Sequence, residues 1–146
     1  FGASFISNGG LRILGSDVNT DVLESAIQGC YAEKFLSPIP DSFRRRYFSS
    51  ESEKPNSHNQ IKTEIQRLIQ FRQFNLMSSE YPIATKFQLI FCRNVLYYLK
   101  PERRELLISK LVDHLEEGGW LVLGITESGY RIDKMEKHSI SIYQKT

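Results

Sequence analysis

The chain has 146 residues, of which 40% are hydrophobic and 25% charged, as is usual for one globular domain with a buried core. Its formal net charge of +2 gives no strong field, which argues against nucleic acid or an anionic membrane as a partner. Two cysteines, and no apolar run of the roughly 20 residues that span a bilayer, indicate a reduced, cytoplasmic protein without membrane insertion.

The first residues have the pattern of a helix tail that drops into a turn at Gly9 and Gly10. Because no initiating methionine precedes Phe1, we interpret the chain as a fragment of a longer protein. A short apolar run, residues 11–15, then predicts a buried strand with polar residues at its carboxyl end.

A helix should follow this strand, with Asp21 as its N-cap and Gly29 as its stop. Residues 38–59 are rich in Pro, Ser, Asn and charges and show neither helical nor strand periodicity, so they predict an insertion with a flexible loop. Residues 61–74 alternate loosely and predict two short strands, interpreted as a hairpin, of which the second covers residues 68–74.

The second half of the chain alternates between strand and helix patterns. Phe87–Cys92 is an apolar run of the length of a buried parallel strand, and Cys92 within it should behave as a small hydrophobe. Residues 102–115 predict an amphipathic helix that ends at Gly118 and Gly119. Residues 120–125 predict another buried strand, and residues 139–144 an antiparallel edge strand.

This alternation predicts an open α/β sheet, in which ligands bind beyond the carboxyl ends of the strands. Polar residues follow each predicted core strand at that end. The candidate site residues are therefore Asp17, Asn75, Leu76, Arg93, Asn94 and Glu127.

Asp17 is the first candidate ligand-binding residue. An acid at the end of a strand that leads into a capped helix can accept hydrogen bonds from both ribose hydroxyls of a nucleoside cofactor. The other interpretation is a turn residue that only caps the helix, because Asn19, Thr20 and Asp21 share that turn. The pattern alone leaves both interpretations open.

Arg93 and Asn94 form a stronger signal, because two polar side chains directly follow an apolar strand. An arginine that abuts a buried strand needs a partner or a ligand to offset its desolvation. An exposed pair in a loop is the less favoured interpretation. The three histidines, His58, His114 and His138, lack the spacing of metal ligands, so no metal site is predicted.

Four segments in order resemble the chemotaxis receptor methyltransferase (CheR) family. Residues 87–128 resemble its F-D-x-I-F-C-R-N-V-x-x-Y-F motif, a helix, G-G-x-L-x-x-G and a closing S-E pair, here Thr126 and Glu127. Residues 13–31 resemble its T-D-I-x-x-x-V-L-x-x-A-x-x-G-x-Y motif. RRRYF at residues 44–48 and FRQFNLM at residues 71–77 fall in the family's order too.

The resemblance implies a class I, Rossmann-like methyltransferase sheet that binds S-adenosylmethionine and releases S-adenosylhomocysteine. It implies that Asp17 binds the ribose, that Asn75 and Leu76 border the adenine, and that Arg93 and Asn94 lie near the methionine end. Tyr98 would face the methyl group, which makes Arg93 and Tyr98 the expected catalytic residues. The family methylates glutamate side chains on cytoplasmic helices of chemoreceptors.

The family also carries a small antiparallel β-subdomain, which the resemblance places at residues 38–67 within a partial catalytic domain of residues 1–146. In the family this subdomain can hold a receptor's tail peptide by strand addition. A polar, serine-rich loop without a partner remains the other interpretation of these residues.

The family's glycine-rich cofactor turn does not occur in these residues, so the resemblance implies a sheet without its central first strand. Two unpaired strand edges would flank the gap unless preceding residues fill it, another copy pairs with them by a domain swap or edge association, or the fragment rearranges. We favour a truncated chain that self-associates. The absence of the turn leaves the activity of the numbered residues open. It is also the argument for an alternative function, a non-catalytic module that acts through protein contacts.

Overall fold

The computed structural model describes residues 2–7, 10–50, 58–127 and 129–146. Five helices and ten strands make up the described part, and two short 3₁₀ turns, Leu96–Tyr98 and Ile125–Glu127, follow strands of the larger sheet. The helices are α1 Thr20–Gln28, α2 Glu33–Leu36, α3 Asp41–Tyr47, α4 Thr63–Gln66 and α5 Pro101–Asp113. The strands are β1 Gly2–Ser7, β2 Gly10–Asp17, β3 Cys30–Ala32, β4 Phe48–Ser50, β5 His58–Ile61, β6 Ile69–Gln73, β7 Phe87–Cys92, β8 Leu115–Leu123, β9 Met135–Lys137 and β10 Ile142–Lys145.

Seven strands form the main sheet in the order β6-β2-β1-β7-β8-β10-β9. The pairs β2–β6 and β7–β8 are parallel, with Ile13 opposite Ile69 and Ile90 opposite Leu121. At the far edge, β10 pairs antiparallel with both β8 and β9. The predicted open α/β sheet is therefore present, with the carboxyl ends of β2, β6, β7 and β8 on one side.

The centre of the sheet differs from the expectation. Residues 2–7 form a strand rather than a helix tail, and β1 pairs antiparallel with both β2 and β7 through Ala3, which lies opposite Leu14 and Ile90. The prediction of two unpaired edges is wrong, because β1 occupies the gap and satisfies backbone groups on both sides. The reason for expecting self-association or a domain swap is thereby removed. Gly9, in the predicted turn, lies outside the described residues.

The core lies between α5 and the strands β7, β8 and β10. Pro101 begins α5, where its missing N–H costs nothing, and Leu107 is fully buried on the face toward the sheet. Further core residues are Phe87, Ile90, Leu96, Leu111, Leu115, Leu121, Leu123 and Tyr143. The prediction that α5 reaches the glycine pair is wrong, because β8 begins at Leu115.

Gly119 lies within β8 and is required there for packing, which is why it does not end α5 as predicted. A Cβ at this position would lie 2.8 Å from the Glu116 carbonyl oxygen and 3.1 Å from that of Phe87. The glycine therefore allows close approach of the backbones of β7 and β8, and it does not mark a helix end. The predicted antiparallel strand near the carboxyl end is β10, but β9 forms the edge.

The start of α1 also needs a correction. The N-cap is Asn19 rather than Asp21, since the Asn19 side chain accepts hydrogen bonds from the N–H groups of Asp21 and Val22. Gly29 ends the helix as predicted, with a left-handed φ of 65°.

The insertion between α1 and β6 contains more structure than its sequence predicted. Three short strands pair antiparallel in the order β3-β5-β4, and α3 occupies part of the segment that was expected to be a loop. The predicted hairpin in residues 61–74 is wrong, because α4 separates β5 from β6 and β6 pairs with β2. Residues 51–57, within the predicted flexible loop, lie outside the described residues.

Among the described residues no helix is long and apolar enough to cross a membrane.

Candidate functional site

A cavity of about 390 Å³ opens at the carboxyl ends of β2, β6 and β7. This volume is within the range of small-molecule sites, roughly 300 to 1,000 Å³. Five of the predicted site residues line it, namely Asp17, Asn75, Leu76, Asn94 and Tyr98. Further lining residues, which the sequence did not indicate, are Val18, Phe74, Met77, Tyr81, Ile83, Leu107 and His114.

Asp17 lies at the last position of β2 and is half-buried. Its Oδ1 accepts a hydrogen bond of 3.0 Å from the Asn19 N–H. Among the described residues no hydrogen bond reaches its other carboxylate oxygen, which is available to a ligand. The interpretation of Asp17 as a helix cap is wrong, because Asn19 caps α1 with its own side chain.

The wall formed by Asn75 and Leu76 is held in place from two directions. The Asn75 side chain accepts a hydrogen bond of 2.8 Å from the Met77 N–H, which closes a tight turn directly after β6. The Tyr81 hydroxyl donates to the Leu76 carbonyl at 2.5 Å. Both contacts fix the backbone along this side of the cavity.

Tyr81 is a cavity residue that the sequence analysis did not single out. Its ring centroid lies 5.4 Å from that of Phe74 and 4.9 Å from that of His114, so it joins the segment after β6 to the end of α5. Burial, and secondarily the neighbouring Cys92, raise the pKa of Tyr81 to about 12. The only sequence signal is an aromatic residue within a Ser- and Pro-containing connection.

The turn after β7 carries Asn94 in a left-handed conformation, with φ of 59°, which residues other than glycine rarely adopt. The Asn94 N–H donates to Glu127 Oε2 at 2.9 Å, and the Tyr97 N–H donates to Glu127 Oε1 at 3.0 Å. Glu127 itself is only 3% exposed. The sequence placed Glu127 at the same edge of the sheet, but its contacts with this turn could not be foreseen.

Arg93 occupies a different position from its neighbours. Its side chain is exposed and does not line the cavity, although Cys92 and Asn94 on either side of it do. The prediction that Arg93 needs a partner or ligand to offset desolvation is therefore wrong, because an exposed guanidinium keeps its water. Its predicted role at the methionine end stays a prediction.

Two adjacent exposed tyrosines lie at the end of the turn after β7, and only one of them lines the cavity. Tyr98 is 81% exposed and lines the cavity, whereas Tyr97 is 71% exposed and does not. Their rings meet edge to face with centroids 5.6 Å apart. Tyr97 therefore serves as a matched control for the role predicted for Tyr98.

Cys92 lines the cavity from the end of β7 and is 3% exposed. Burial raises the pKa of its thiol to about 11, so the reactive thiolate is scarce at neutral pH. Its predicted behaviour as a small hydrophobe is confirmed.

The cavity matches the two ends of a nucleoside cofactor unequally. Its apolar walls suit an aromatic base, and the free oxygen of Asp17 suits a ribose hydroxyl. No Lys or Arg is among the described residues that line it. The described part of the lining therefore offers the carboxylate of an amino-acid group no cationic partner.

The family model described as "CheR methyltransferase, SAM binding domain" matches residues 4–143. "Chemotaxis protein methyltransferase" of Vibrio parahaemolyticus is 35% identical over 118 residues, which cover 81% of this chain and 42% of that protein. The protein of the same name from Borreliella burgdorferi is 30% identical, with 81% of this chain and 41% of that protein covered. The chain thus spans about two fifths of the length of these relatives.

Among solved structures, the glycopeptide N-methyltransferase MtfA complexed with sinefungin has a TM-score of 0.46 and 15% identity. The superposition covers 75% of this chain and 35% of that one. The family match alone confirms the predicted fold class and the predicted cofactor, S-adenosylmethionine. The chain belongs to the CheR methyltransferase family, whose S-adenosylmethionine-binding domain it matches over residues 4–143.

Proposed function

We propose that this chain is the catalytic part of a cytoplasmic protein-glutamate O-methyltransferase that modifies chemoreceptors in bacterial chemotaxis. Family membership and the names of the curated relatives support a methyltransferase of chemotaxis. The observation that carries the proposal is the cavity that brings Asp17, Asn75 and Asn94 together from three separate strand ends. That arrangement is where the family's cofactor would be held.

The nucleoside half of S-adenosylmethionine is assigned to β2 and β6. Asp17 would accept hydrogen bonds from the ribose, because it lines the cavity and no hydrogen bond among the described residues uses its second oxygen. Asn75 and Leu76 would border the adenine, with the position of Leu76 fixed by Tyr81. An aromatic base gains most from the apolar walls of such a site.

The reactive half is assigned to the turn after β7. Asn94 would lie beside the methionine group, and the exposed Arg93 would attract carboxylates at the mouth. Tyr98 would border the methyl group, because it lines the cavity at the end of the turn and is 81% exposed.

The chemistry requires positioning more than activation. When bound, S-adenosylmethionine supplies a methyl group on a positively charged sulfur. A glutamate side chain, with an unperturbed pKa of about 4.3, is already an ionised nucleophile at neutral pH and needs no general base. The residues at the mouth would orient that carboxylate for in-line attack and exclude water, which are the tasks suited to Arg93 and Tyr98.

The protein substrate is proposed to be a cytoplasmic helix of a chemoreceptor. The insertion, predicted as a β-subdomain at residues 38–67 within the partial catalytic domain 1–146, forms a small sheet that also includes β3 at Cys30–Ala32. This sheet could add a receptor tail peptide. Both outer strands, β3 and β4, pair on one side only with β5, so each has a free edge among the described residues.

The test is transfer of labelled methyl groups from S-adenosylmethionine to a chemoreceptor cytoplasmic fragment. Arg93→Ala should abolish transfer and leave the fold intact, because the side chain is exposed. Arg103→Ala, which removes an exposed arginine of α5, should transfer at the original rate. Tyr98→Phe should slow transfer, whereas Tyr97→Phe should not. Unchanged turnover in Arg93→Ala would remove its assigned role, and no transfer by the unaltered protein would refute the proposed function.

A further inference from the structure

We propose that Glu127 is a positioning residue, which holds the cofactor-facing turn at residues 93–98 by means of its buried carboxylate. The proposal rests on the proposed function, since the turn is assigned to the methionine half of the cofactor. Glu127 follows β8 and is 3% exposed, yet it forms no ion pair with any described residue. A buried carboxylate without a cation needs other compensation.

That compensation consists of three backbone N–H groups that converge on the two oxygens. Oε2 accepts from Asn94 at 2.9 Å and from Gly124 at 3.0 Å, and Oε1 accepts from Tyr97 at 3.0 Å. Gly124 belongs to the segment after β8, whereas Asn94 and Tyr97 belong to the turn after β7. One side chain therefore joins the carboxyl ends of two parallel strands.

The turn needs such support because its backbone is strained. Asn94 has a φ of 59°, which an L-residue maintains only when its surroundings enforce it. Glu127 accepts a hydrogen bond from the N–H of Asn94 itself and another from the N–H of Tyr97, three residues later. Leu96, which is fully buried, anchors the turn between them. Asn94, Val95 and Tyr98 are thereby directed to the cavity.

The Glu127 carboxylate lies close against the backbone of Gly124. A Cβ on Gly124 would lie 2.5 Å from Glu127 Oε2, so a side chain there would displace the oxygen that binds two N–H groups. A carboxylate also differs from an amide at this point, because an amide offers one acceptor atom and one donor atom. With three N–H groups converging, a glutamine would always set its own N–H₂ against another donor.

Glu127→Gln is therefore the informative substitution, since it preserves size and removes one acceptor. The matched control is Glu105→Gln, which removes the same charge from an exposed position on α5. Two measurements would be made on both variants and on the unaltered chain. The first is hydrogen–deuterium exchange of a peptide that covers residues 93–98, and the second is calorimetric titration with S-adenosylhomocysteine and with adenosine.

We expect faster exchange in residues 93–98 of Glu127→Gln, with β10 as protected as before, and no change in Glu105→Gln. We also expect affinity for S-adenosylhomocysteine to fall by about tenfold or more, the order expected for hydrogen bonds to a charged group. Adenosine, which lacks the amino-acid group assigned to this turn, should bind within about threefold of its original affinity. A role limited to global stability would weaken both ligands equally.

Unchanged exchange in residues 93–98 would overturn the proposal, and so would equal loss of the two ligands or an unaltered chain that binds adenosine as tightly as S-adenosylhomocysteine. If the unaltered chain binds neither ligand, the proposed function fails. The exchange measurement then still decides whether Glu127 holds the turn.

Discussion

The layer formed by α5, β7 and β8 and the insertion between α1 and β6 are stabilised by different kinds of contact. In the first, Leu107, Leu115 and Leu121 are fully buried and pack against one another in a single apolar core. In the second, α3 and α4 bury no residue completely, and Glu33 binds both the Arg44 guanidinium and the Asn59 amide. The insertion also buries Leu36 of α2, which is 2% exposed. One continuous apolar core therefore lies behind the part of the site that follows β7, whereas the insertion combines one buried leucine with polar contacts between short elements.

The largest effect should come from the apolar layer. Leu107→Ala removes a fully buried side chain that also lines the cavity, and it should lower the free energy of unfolding by about 3 kcal/mol. The neighbouring Leu106 is 44% exposed, so Leu106→Ala should cost less than about 1 kcal/mol. Urea unfolding measures both values. Similar losses for the two variants would contradict the assignment of the core.

The second prediction concerns the pH dependence of the free energy of unfolding, which also tests the apolar layer. Burial raises the pKa of Cys92 from 9.0 to about 11, so the folded state holds this proton more tightly than the unfolded state does. The stabilisation is complete below pH 9 and is lost as the pH rises toward 11, because the unfolded thiol then ionises first. Urea unfolding across this range should show a fall in stability that is smaller in Cys92→Ala. An equal fall in the variant would contradict the account.

The smallest effect belongs to the insertion. Glu33 is 56% exposed and Arg44 27% exposed, so solvent screens their ion pair. Glu33→Gln should therefore lower the free energy of unfolding by no more than about 1 kcal/mol, and Glu64→Gln, an exposed residue of α4, by less. Binding of S-adenosylhomocysteine should not change in either. A loss of binding in Glu33→Gln would show that the insertion and the cavity are coupled.

The same division separates what the sequence could predict from what it could not. Phe87–Cys92 was predicted to the residue, because a short, mainly apolar run with polar residues at its end indicates a core strand. The expected burial on both faces is wrong at Phe91, which is 43% exposed. Asp17 and Asn94 were found for a related reason, since the carboxyl ends of parallel strands meet at one edge. The pattern of apolar residues therefore predicts those elements whose burial is reflected in their own local sequence.

Pairing between distant segments leaves no such pattern. Neither the place of β1 at the centre of the sheet nor the three-stranded sheet of the insertion follows from local periodicity, because each depends on partners remote in sequence. The Glu127 carboxylate and the Tyr81 ring likewise contact residues that are far from them in sequence, Asn94 and His114. The sequence also could not identify Asn19 as the N-cap, because three polar residues in the same turn are suitable and only the structure distinguishes them.

Calorimetric titration with S-adenosylhomocysteine tests the central claim, that the cavity at the ends of β2, β6 and β7 holds the cofactor. The unaltered chain should bind, and Asp17→Asn should bind at least about tenfold more weakly because it loses a charged acceptor for the ribose. Asp133→Asn, which alters an exposed aspartate outside the lining, should bind as the unaltered chain does. Equal affinity in Asp17→Asn and the unaltered chain would contradict the account.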